Sequence, residues 1–383
     1  MIPLLRLRRC RRTAISDHPA NRLPVAWEGF AAAATRAALL LGALFLAAPA
    51  QAQEGVAVNA DVDYRLVALR VAEDFVEPRY SVLFTRALAQ KEAWNAFCSA
   101  PPSDAAFEQL QVQFKNAVMA WSNVEILRYG PVSEDFLYER IAYWPERRND
   151  VERGLSTLLS GDDTLTPEAM FAKSVAVQGL PALERLLYGE GARAALFVDD
   201  AGARRRCDAG IAISSNVEQL ARRIRDLWPK LKDRLRQDDA SPAREAVSRI
   251  ATDLLTVYQI VGDLKLDKVT GASPDEARPR SAQWWRSGLS NEAMAYNLKS
   301  AADLIWLFLG PGQERQSLMI AIGTAERTAR DLPAPLPDMA GDEAARSRLI
   351  LLRNMVSSAR DLSASYVPPK LGIMIGFNSL DGD

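Results

Sequence analysis

Apolar side chains recur at intervals of three and four residues along almost the whole chain after residue 61. In the segment LQVQFKNAVMAWSNVEILRYGP, Phe114, Ala117 and Trp121 lie on one helix face, and a Gly-Pro pair stops the helix. The same spacing predicts helices over roughly 62–76, 79–98, 134–158, 166–189, 200–237, 242–266, 291–309, 313–330 and 341–364. The pattern therefore predicts an all-α fold.

The last segment, LGIMIGFNSLDGD, has a different pattern. Leu371, Ile373, Ile375 and Phe377 alternate with other residues, which is the period of an extended strand. We therefore expect an extended C-terminal tail laid along the helices.

Two segments of the chain resemble each other weakly. PEAM at residues 167–170 leads to LLYG ending at Gly189, and NEAM at residues 291–294 leads to LFLG ending at Gly310. This favours two helix-bundle halves related by an internal duplication, with a boundary near residues 190–240. Coincidence between two amphipathic helices is an equal interpretation.

The N-terminal segment is basic and then strongly apolar. Several arginines precede the run AALLLGALFLAAPA at residues 37–50, which is shorter than the roughly 20 apolar residues that a spanning helix needs. Small residues at Ala50 and Ala52 are typical of a cleavage site after Ala52. We expect residues 1–52 to be a signal peptide, and the mature chain to lie in the periplasm or cell envelope without a membrane span. An uncleaved anchor is the alternative.

Removal of residues 1–52 changes the charge of the chain. It takes away seven of the 47 Lys and Arg residues and two of the 48 Asp and Glu residues, which leaves 40 against 46 and a net charge of −6. A negative chain of this kind is an unfavourable partner for nucleic acid.

Two of the three cysteines, Cys98 and Cys207, remain in the mature chain. In an oxidising compartment an even pair usually forms a disulfide, so we expect these two residues to be bonded. Two buried free thiols are the alternative.

The only histidine in the sequence is His18, which leaves with the leader. A mature chain without histidine cannot build a histidine-containing zinc site or a Ser-His-Asp triad. The sequence also lacks the glycine-rich phosphate-binding motifs and the haem attachment motif. Most hydrolytic mechanisms are therefore excluded.

Four ordered segments carry a resemblance to a known family. They are AWSNVEILRYGP with RIAYWP (residues 120–131 and 140–145), VQGLPALERLLYG (177–189), WWRSGLS (284–290) and GFNSLDGD (376–383). These segments resemble the W-x-x-x-E…GP…WP block, the G-x-H-x-x-E motif, the W-R-S segment and the C-terminal signature of the imelysin family of bacterial envelope proteins. The resemblance covers residues 53–383. It implies two helix-bundle halves with the G-x-H-x-x-E motif near their interface, a link to iron acquisition, and a peptidase label.

The G-x-H-x-x-E motif is altered in this chain. Gly179 and Glu184 match its glycine and glutamate, but Pro181 occupies the histidine position. A glycine followed by a proline predicts the end of one helical segment and the first turn of the next. Glu184 then lies about one turn into the new helix, where the helix dipole favours a carboxylate. A structural carboxylate paired to an arginine and a metal ligand are equal interpretations of Glu184.

Glu125 follows Trp121 by one turn, at the edge of an apolar seam. If it is partly buried it needs a partner, for which Arg128, Arg140 and Arg286 are candidates. A solvated helix charge is the alternative. Aromatic residues in the matching segments line either the core or a cleft, and the cleft candidates are Trp121, Trp144 and Trp285, with Arg140 and Arg286 beside them.

Three functions agree with these observations. The first is an exported, non-catalytic binding or accessory protein of envelope iron or metal acquisition, in which the oxygens of Glu184, Glu125 and Tyr188 ligate Fe³⁺ or a cleft between the bundles holds a small ligand. The second is a metallopeptidase, as the family label implies, which the missing histidine disfavours. The third is a module that docks an envelope redox or transport protein without a metal of its own.

Overall fold

Helices account for most of residues 62–374, the part of the chain that the computed structural model describes. The α-helices are α1 Tyr64–Arg70, α2 Glu77–Cys98, α3 Asp104–Ser122, α4 Leu137–Ile141, α5 Asp150–Ser160, α6 Pro167–Phe171, α7 Leu180–Tyr188, α8 Ala192–Leu196, α9 Ala201–Leu235, α10 Ser241–Gln259, α11 Lys268–Thr270, α12 Ser290–Phe308, α13 Gln313–Arg330, α14 Leu336–Ala340 and α15 Glu343–Leu371. Within these residues there is no β-strand. The predicted all-α fold is confirmed.

Two of the helical rods contain π-helical turns. The turn Val71–Val76 joins α1 to α2 without a break, and the turn Ile260–Asp267 joins α10 to α11. Such turns often occur where a helix places a functional side chain. The second one carries Lys265, which lies at the centre of a buried polar network described below.

The first group of helices is built around α2, α3 and α9. Helices α2 and α9 approach closely at Gly210, where any Cβ atom would collide with the indole ring of the buried Trp94. A disulfide between Cys98 and Cys207, with a Cα–Cα distance of 5.7 Å, ties the end of α2 to α9. The predicted disulfide is confirmed.

The second group consists mainly of α10, α12, α13 and α15, and α12 also contacts α3 of the first group. Because α9 packs on α2, the first group extends to Leu235. The predicted boundary near residues 190–240 stays a prediction. The internal duplication is not confirmed. The segment that begins at Pro167 forms three short helical pieces, whereas the segment that begins at Asn291 lies in one continuous helix.

Two predicted helices, 134–158 and 166–189, are not continuous. The first is broken by positive φ angles at Asp135 and Phe136 and by a loop that contains the cis peptide bond Trp144–Pro145. The second is broken before Gly179, where α7 begins. The apolar residues keep a helical spacing through both breaks because each of the short helices still buries one face. Residues from the two breaks lie next to each other and line a common cavity.

The C-terminal helix is longer than predicted. Helix α15 continues to Leu371 and ends at Gly372, which has a φ of 58°. Leu371 is therefore helical, not the first residue of an extended tail, and the rest of the predicted tail from Ile375 lies outside the described residues.

The predicted signal peptide, residues 1–52, also lies outside the described residues, and it stays a prediction. Among residues 62–374, no helix combines the length and the apolar character needed to cross a membrane.

Candidate functional site

Helix α7 begins where the chain presses against the end of α4. The backbone of Gly179 is extended and lies against the carbonyl oxygens of Arg140 and Ile141, so that any Cβ atom at this position would collide with both. Pro181 is the second residue of α7 and is buried. In the first turn of a helix its missing N–H costs nothing. The predicted helix start at Gly179 and Pro181 is thus present.

Glu184 is buried in the second turn of α7, with 3% of its surface exposed. Its Oε1 atom accepts two hydrogen bonds from Ser287, one from the backbone N–H at 3.0 Å and one from the hydroxyl at 2.6 Å. Burial raises the pKa of Glu184, while the two bonds from Ser287 and the positive charges of Arg286 and Arg185 oppose this. The hydrogen-bond partner is therefore a serine, where an arginine was one of the predicted alternatives.

Arg185, the next residue of α7, is also buried. Its guanidinium group lies 2.5 Å from Glu146 and 3.2 Å from Glu152, and it donates to the carbonyl oxygen of Pro181 at 3.4 Å. Both carboxylates come from the region of the first helix break. Arg185 thereby fastens α7 to the loop before α5 and to α5 itself.

Glu125 lies in a second, fully buried network. Lys265 donates to its Oε2 atom at 3.0 Å, the Asn297 amide donates to the same atom at 3.1 Å, and the Gln283 amide donates to Oε1 at 2.6 Å. Lys265 also donates to Asn297 Oδ1 at 2.6 Å. The interpretation of Glu125 as a solvated charge is wrong, because the side chain is buried. None of its three predicted arginine partners forms a hydrogen bond or a salt bridge with it, although the charge of Arg128 interacts with that of Glu125.

The charges in this network stabilise each other. Burial by itself raises the pKa of Glu125, but Lys265 and the three hydrogen bonds together hold it below its ordinary value. Burial lowers the pKa of Lys265, although the charge of Glu125 opposes the change. Removal of water from both ions is costly, and good geometry with extra hydrogen bonds compensates for it.

One short segment, the 281–290 turn, connects the two carboxylates. Gln283 binds Glu125 and Ser287 binds Glu184, four residues apart in the chain. Positive φ angles at Trp284 (60°) and Gly288 (70°) fold the turn back on itself. Both glutamates that match the family motifs are therefore held by this turn, Glu184 by Ser287 of the W-R-S segment and Glu125 by Gln283 just before it.

Further bonds fix the ends of the 281–290 turn. The indole N–H of Trp144 donates to the carbonyl oxygen of Ser281 at 3.3 Å, and the hydroxyl of Ser290 donates to the carbonyl oxygen of Gln283 at 2.5 Å. The loop that interrupts the first predicted helix thus contacts the turn directly.

Two adjoining cavities open beside α7. The first, the Glu184 cavity, has a volume of about 240 Å³. Its lining comprises Tyr143, Trp144, Pro145, Glu146, Asn149, Pro181, Glu184, Arg185, Lys268, Arg280, Ser281, Ala282, Gln283, Trp284, Trp285 and Arg286. The second, the arginine cavity, has a volume of about 810 Å³. Its lining comprises Glu146, Asn149, Glu152, Leu155, Ser156, Leu159, Ser160, Arg185, Gly189, Glu190, Ala192, Gly202, Arg206, Arg280, Trp285 and Arg286. The shared residues make them one continuous cleft.

Half of the predicted site residues line this cleft, namely Pro181, Glu184, Trp144, Trp285 and Arg286. The other half, Gly179, Trp121, Glu125, Arg140 and Tyr188, do not line either cavity. Trp121 is buried in the core, with its ring 5.0 Å from that of Tyr138.

Arg140 and Tyr188 support the site from outside it. Arg140 donates hydrogen bonds to the carbonyl oxygen of Phe171 and to Gln178 Oε1, both at 2.8 Å. These bonds fix the segment that precedes α7. The ring of Tyr188 packs 5.7 Å from that of Phe114, and burial, together with the charge of Glu184, raises the pKa of Tyr188 to about 12.

The geometry does not support Glu184 and Glu125 as a shared pair of metal ligands. Among residues 62–374, no group of three or more His, Cys, Asp and Glu side chains is placed to hold a metal ion. An ammonium group and two amides surround Glu125, and Ser287 occupies one oxygen of Glu184. Glu184 alone retains access to the cleft.

Several residues of the site were not singled out from the sequence, namely Ser287, Gln283, Lys265, Asn297 and Arg185. Ser287 has a signal, because it is the serine of the W-R-S segment. Lys265 has a weaker one, since it stands between Leu264 and Leu266 in an apolar stretch. Nothing in the local sequence marks Asn297 or Gln283 as partners of Glu125.

Comparison with known proteins identifies a family and a shared helical fold. The family model described as imelysin, which also carries a peptidase label, matches residues 76–346. Similar solved structures include an imelysin-like protein from Psychrobacter arcticum 273-4, with a TM-score of 0.69 and 21% identity, where the match covers 82% of this chain and 97% of that one. Another is a putative iron-regulated protein A precursor from Parabacteroides distasonis ATCC 8503, with a TM-score of 0.60 and 14% identity, where the match covers 79% of this chain and 95% of that one. A search of curated proteins found no match. At these identities the two structures show a shared fold.

Proposed function

Because the chain belongs to the imelysin family, we propose that it is an exported, non-catalytic binding protein of the bacterial cell envelope that serves the acquisition of iron or another metal. Export is supported by the basic and apolar leader with its small-residue cleavage pattern. The link to iron is supported by the similar fold of a protein described as a putative iron-regulated precursor.

The absence of a catalytic role is supported by the surroundings of Glu184. A metallopeptidase needs a metal with several protein ligands and a nearby general base that activates water. Here Pro181 stands one helical turn before Glu184 in place of an imidazole, and two hydrogen bonds from Ser287 hold the carboxylate. The described residues contain no histidine, since the only one in the sequence is His18.

The observation that carries the proposal is the cleft itself. The retained Glu184 and the altered Pro181 line it, together with residues 281–286 of the 281–290 turn. Small ligands usually bind in clefts of this kind, where several chain segments meet and aromatic side chains lie beside a few charged groups. This arrangement supports a binding role for the motif region, in which Pro181 stands in place of the imidazole.

Calorimetric titration of the purified protein with Fe³⁺, Fe²⁺, Cu²⁺ and Zn²⁺, each alone and as its soluble chelate, tests the proposal. We expect saturable binding of at least one iron form and no tight binding of free Zn²⁺, which prefers imidazole or thiolate ligands. A lack of binding to every form would favour the docking module. Tight binding of free Zn²⁺ together with hydrolysis of peptides would favour the peptidase.

A further inference from the structure

We propose that the arginine cavity binds a small organic polyanion, a molecule with two or more carboxylate or phosphate groups, through Arg206, Arg280 and Arg286. The inference rests on the proposed function to the extent that both use the same cleft as a ligand site. It adds the chemical class of the ligand and the residues that recognise it.

Within residues 62–374, the three guanidinium groups are not engaged in salt bridges. Among the residues that the structure describes, no carboxylate forms a salt bridge with Arg206, Arg280 or Arg286. Arg185 in the same cavity shows the contrast, because it engages both Glu146 and Glu152. Guanidinium groups in a cleft hold carboxylates and phosphates through paired N–H donors.

The charge of the cavity is opposite to that of the chain. Without its leader the chain has a net charge of −6, from 40 basic and 46 acidic side chains. The arginine cavity nevertheless has four arginines against three glutamates in its lining, and Arg185 engages two of these glutamates. Glu190, which is exposed, is the third. A cleft with a local excess of one sign of charge attracts ligands of the other sign.

Trp285 holds two of the guanidinium groups in place. The Arg286 group lies 4.2 Å from the centroid of the Trp285 ring, and the Arg280 group lies 5.7 Å from it. Stacking on an aromatic face fixes the plane of a guanidinium group and leaves the N–H donors at its edge available to a ligand. The arrangement therefore reduces the entropy that the side chains lose when a ligand binds.

A bound anion would also stabilise the charged form of Arg286. Burial and the positive charge of Arg185 lower its pKa, and the nearby charges of Glu184, Glu152 and Glu146 oppose this only in part. An oxyanion beside Arg286 would further oppose the lowering of its pKa. The cavity volume of about 810 Å³ lies within the range of roughly 300–1,000 Å³ that is usual for ligand pockets. Arg206 lies on α9 and the other two arginines lie in or next to the 281–290 turn, so an anion with several charged groups can reach both sides.

Calorimetric titration of the purified protein with citrate, with pyrophosphate and with uncharged glycerol, all without metal, tests the inference. We expect citrate or pyrophosphate to bind, glycerol to give no signal, and the affinity to fall as salt is added, because salt screens the charges. Whichever of the two anions binds more tightly identifies the ligand as a carboxylate or a phosphate. Failure of both anions to bind would overturn the inference and would leave the link to iron untouched.

Variants locate the binding. The double variant Arg280→Gln/Arg286→Gln should weaken the affinity by about tenfold or more, since it removes charge-assisted hydrogen bonds. The matched control is Arg315→Gln, because Arg315 stacks on Trp306 at 3.9 Å and does not line either cavity, and it should bind like the parent. Equal affinities for the parent, the double variant and the control would contradict the inference.

A second variant keeps the test decisive if the double variant does not fold, which circular dichroism would show. Glu190→Gln removes an exposed negative charge from the cavity lining and leaves every described salt bridge in place. It should tighten binding of the same anion by about two- to threefold at low salt. An unchanged or weaker affinity would contradict an anion site in this cavity.

Discussion

Glu184 and Ser287, which are 103 residues apart in the chain, are joined by two hydrogen bonds to a single carboxylate oxygen. The glutamate comes from the altered G-x-H-x-x-E motif and the serine from the W-R-S segment. Two of the sequence features that identify the family thus meet in one contact. Of the two residues, Glu184 lines the Glu184 cavity, next to Trp285 and Arg286 of the W-R-S segment.

The contact predicts different outcomes for its two partners. Ser287→Ala removes the hydroxyl donor to a buried carboxylate and should lower the free energy of unfolding by about 1–3 kcal/mol. Glu184→Gln keeps an acceptor for both bonds and removes the buried charge, so it should be neutral or stabilising at neutral pH. Urea denaturation measures both. A larger loss of stability in Glu184→Gln than in Ser287→Ala would contradict this account.

The pH dependence of stability follows from the raised pKa of Glu184. Below the unfolded value of about 4.5 the carboxyl group is protonated in both states and its burial carries no charge penalty. As the pH rises from there to the raised folded pKa, the unfolded state ionises first and the parent loses stability. The difference in stability between Glu184→Gln and the parent should therefore increase over this interval and then stay constant. A difference that does not change with pH would show that the folded pKa is not raised.

The buried network predicts a strong effect of Lys265→Met. This change leaves the carboxylate of Glu125 buried without its cation and should lower the free energy of unfolding by about 3–5 kcal/mol. The double variant Glu125→Gln/Lys265→Met should recover part of the loss, because no unpaired charge remains. Lys115→Met is the control, since its pair with Glu292 is partly exposed, and it should cost about 1 kcal/mol or less. Similar losses in Lys265→Met and Lys115→Met would contradict the buried pairing.

Gly179 should tolerate no side chain. In Gly179→Ala the new methyl group meets the carbonyl oxygens of Arg140 and Ile141, which belong to the backbone and cannot move aside without distorting α4. We expect a loss of about 1–3 kcal/mol or more in thermal melts. Gly310→Ala is the control, because a Cβ atom there has nothing within 4 Å, and it should change stability by about 0.5 kcal/mol or less. Equal melting temperatures would show that α4 and α7 lie farther apart.

The disulfide predicts a stability that depends on the redox state. The bond joins residues with a sequence separation of 109, and its reduction should lower the free energy of unfolding by about 3–5 kcal/mol. Labelling of the denatured, unreduced protein with a thiol reagent should find no reactive cysteine at positions 98 and 207. Two reactive thiols per mature chain would contradict the bond.

The sequence was sufficient for those features that depend on local patterns. Apolar spacing predicted the helices, and Gly179 with Pro181 predicted the start of α7, because backbone preference acts over a few residues. The cysteine pair was predictable because only two cysteines follow the leader. The spacing did not reveal the break at Trp144–Pro145, since both pieces of that region bury one face.

The partners of buried charges were not predictable in the same way. Glu125 binds Lys265, which is 140 residues away, although three arginines in the matching segments were more obvious candidates. Only tertiary packing decides which cation meets a buried carboxylate. Arg286 was predicted as a cleft residue, but Arg206 and Arg280 were not, because they lie in polar segments whose facing surfaces become apparent only in the folded chain.

The most direct test of the account is an assay for proteolysis of an unfolded protein substrate, with and without added Zn²⁺, by the parent and by Glu184→Gln. A binding protein whose motif glutamate is bonded to Ser287, with proline at the histidine position, should cleave nothing in either form. Cleavage by the parent that depends on Zn²⁺ and disappears in Glu184→Gln would contradict the central claim and establish a peptidase.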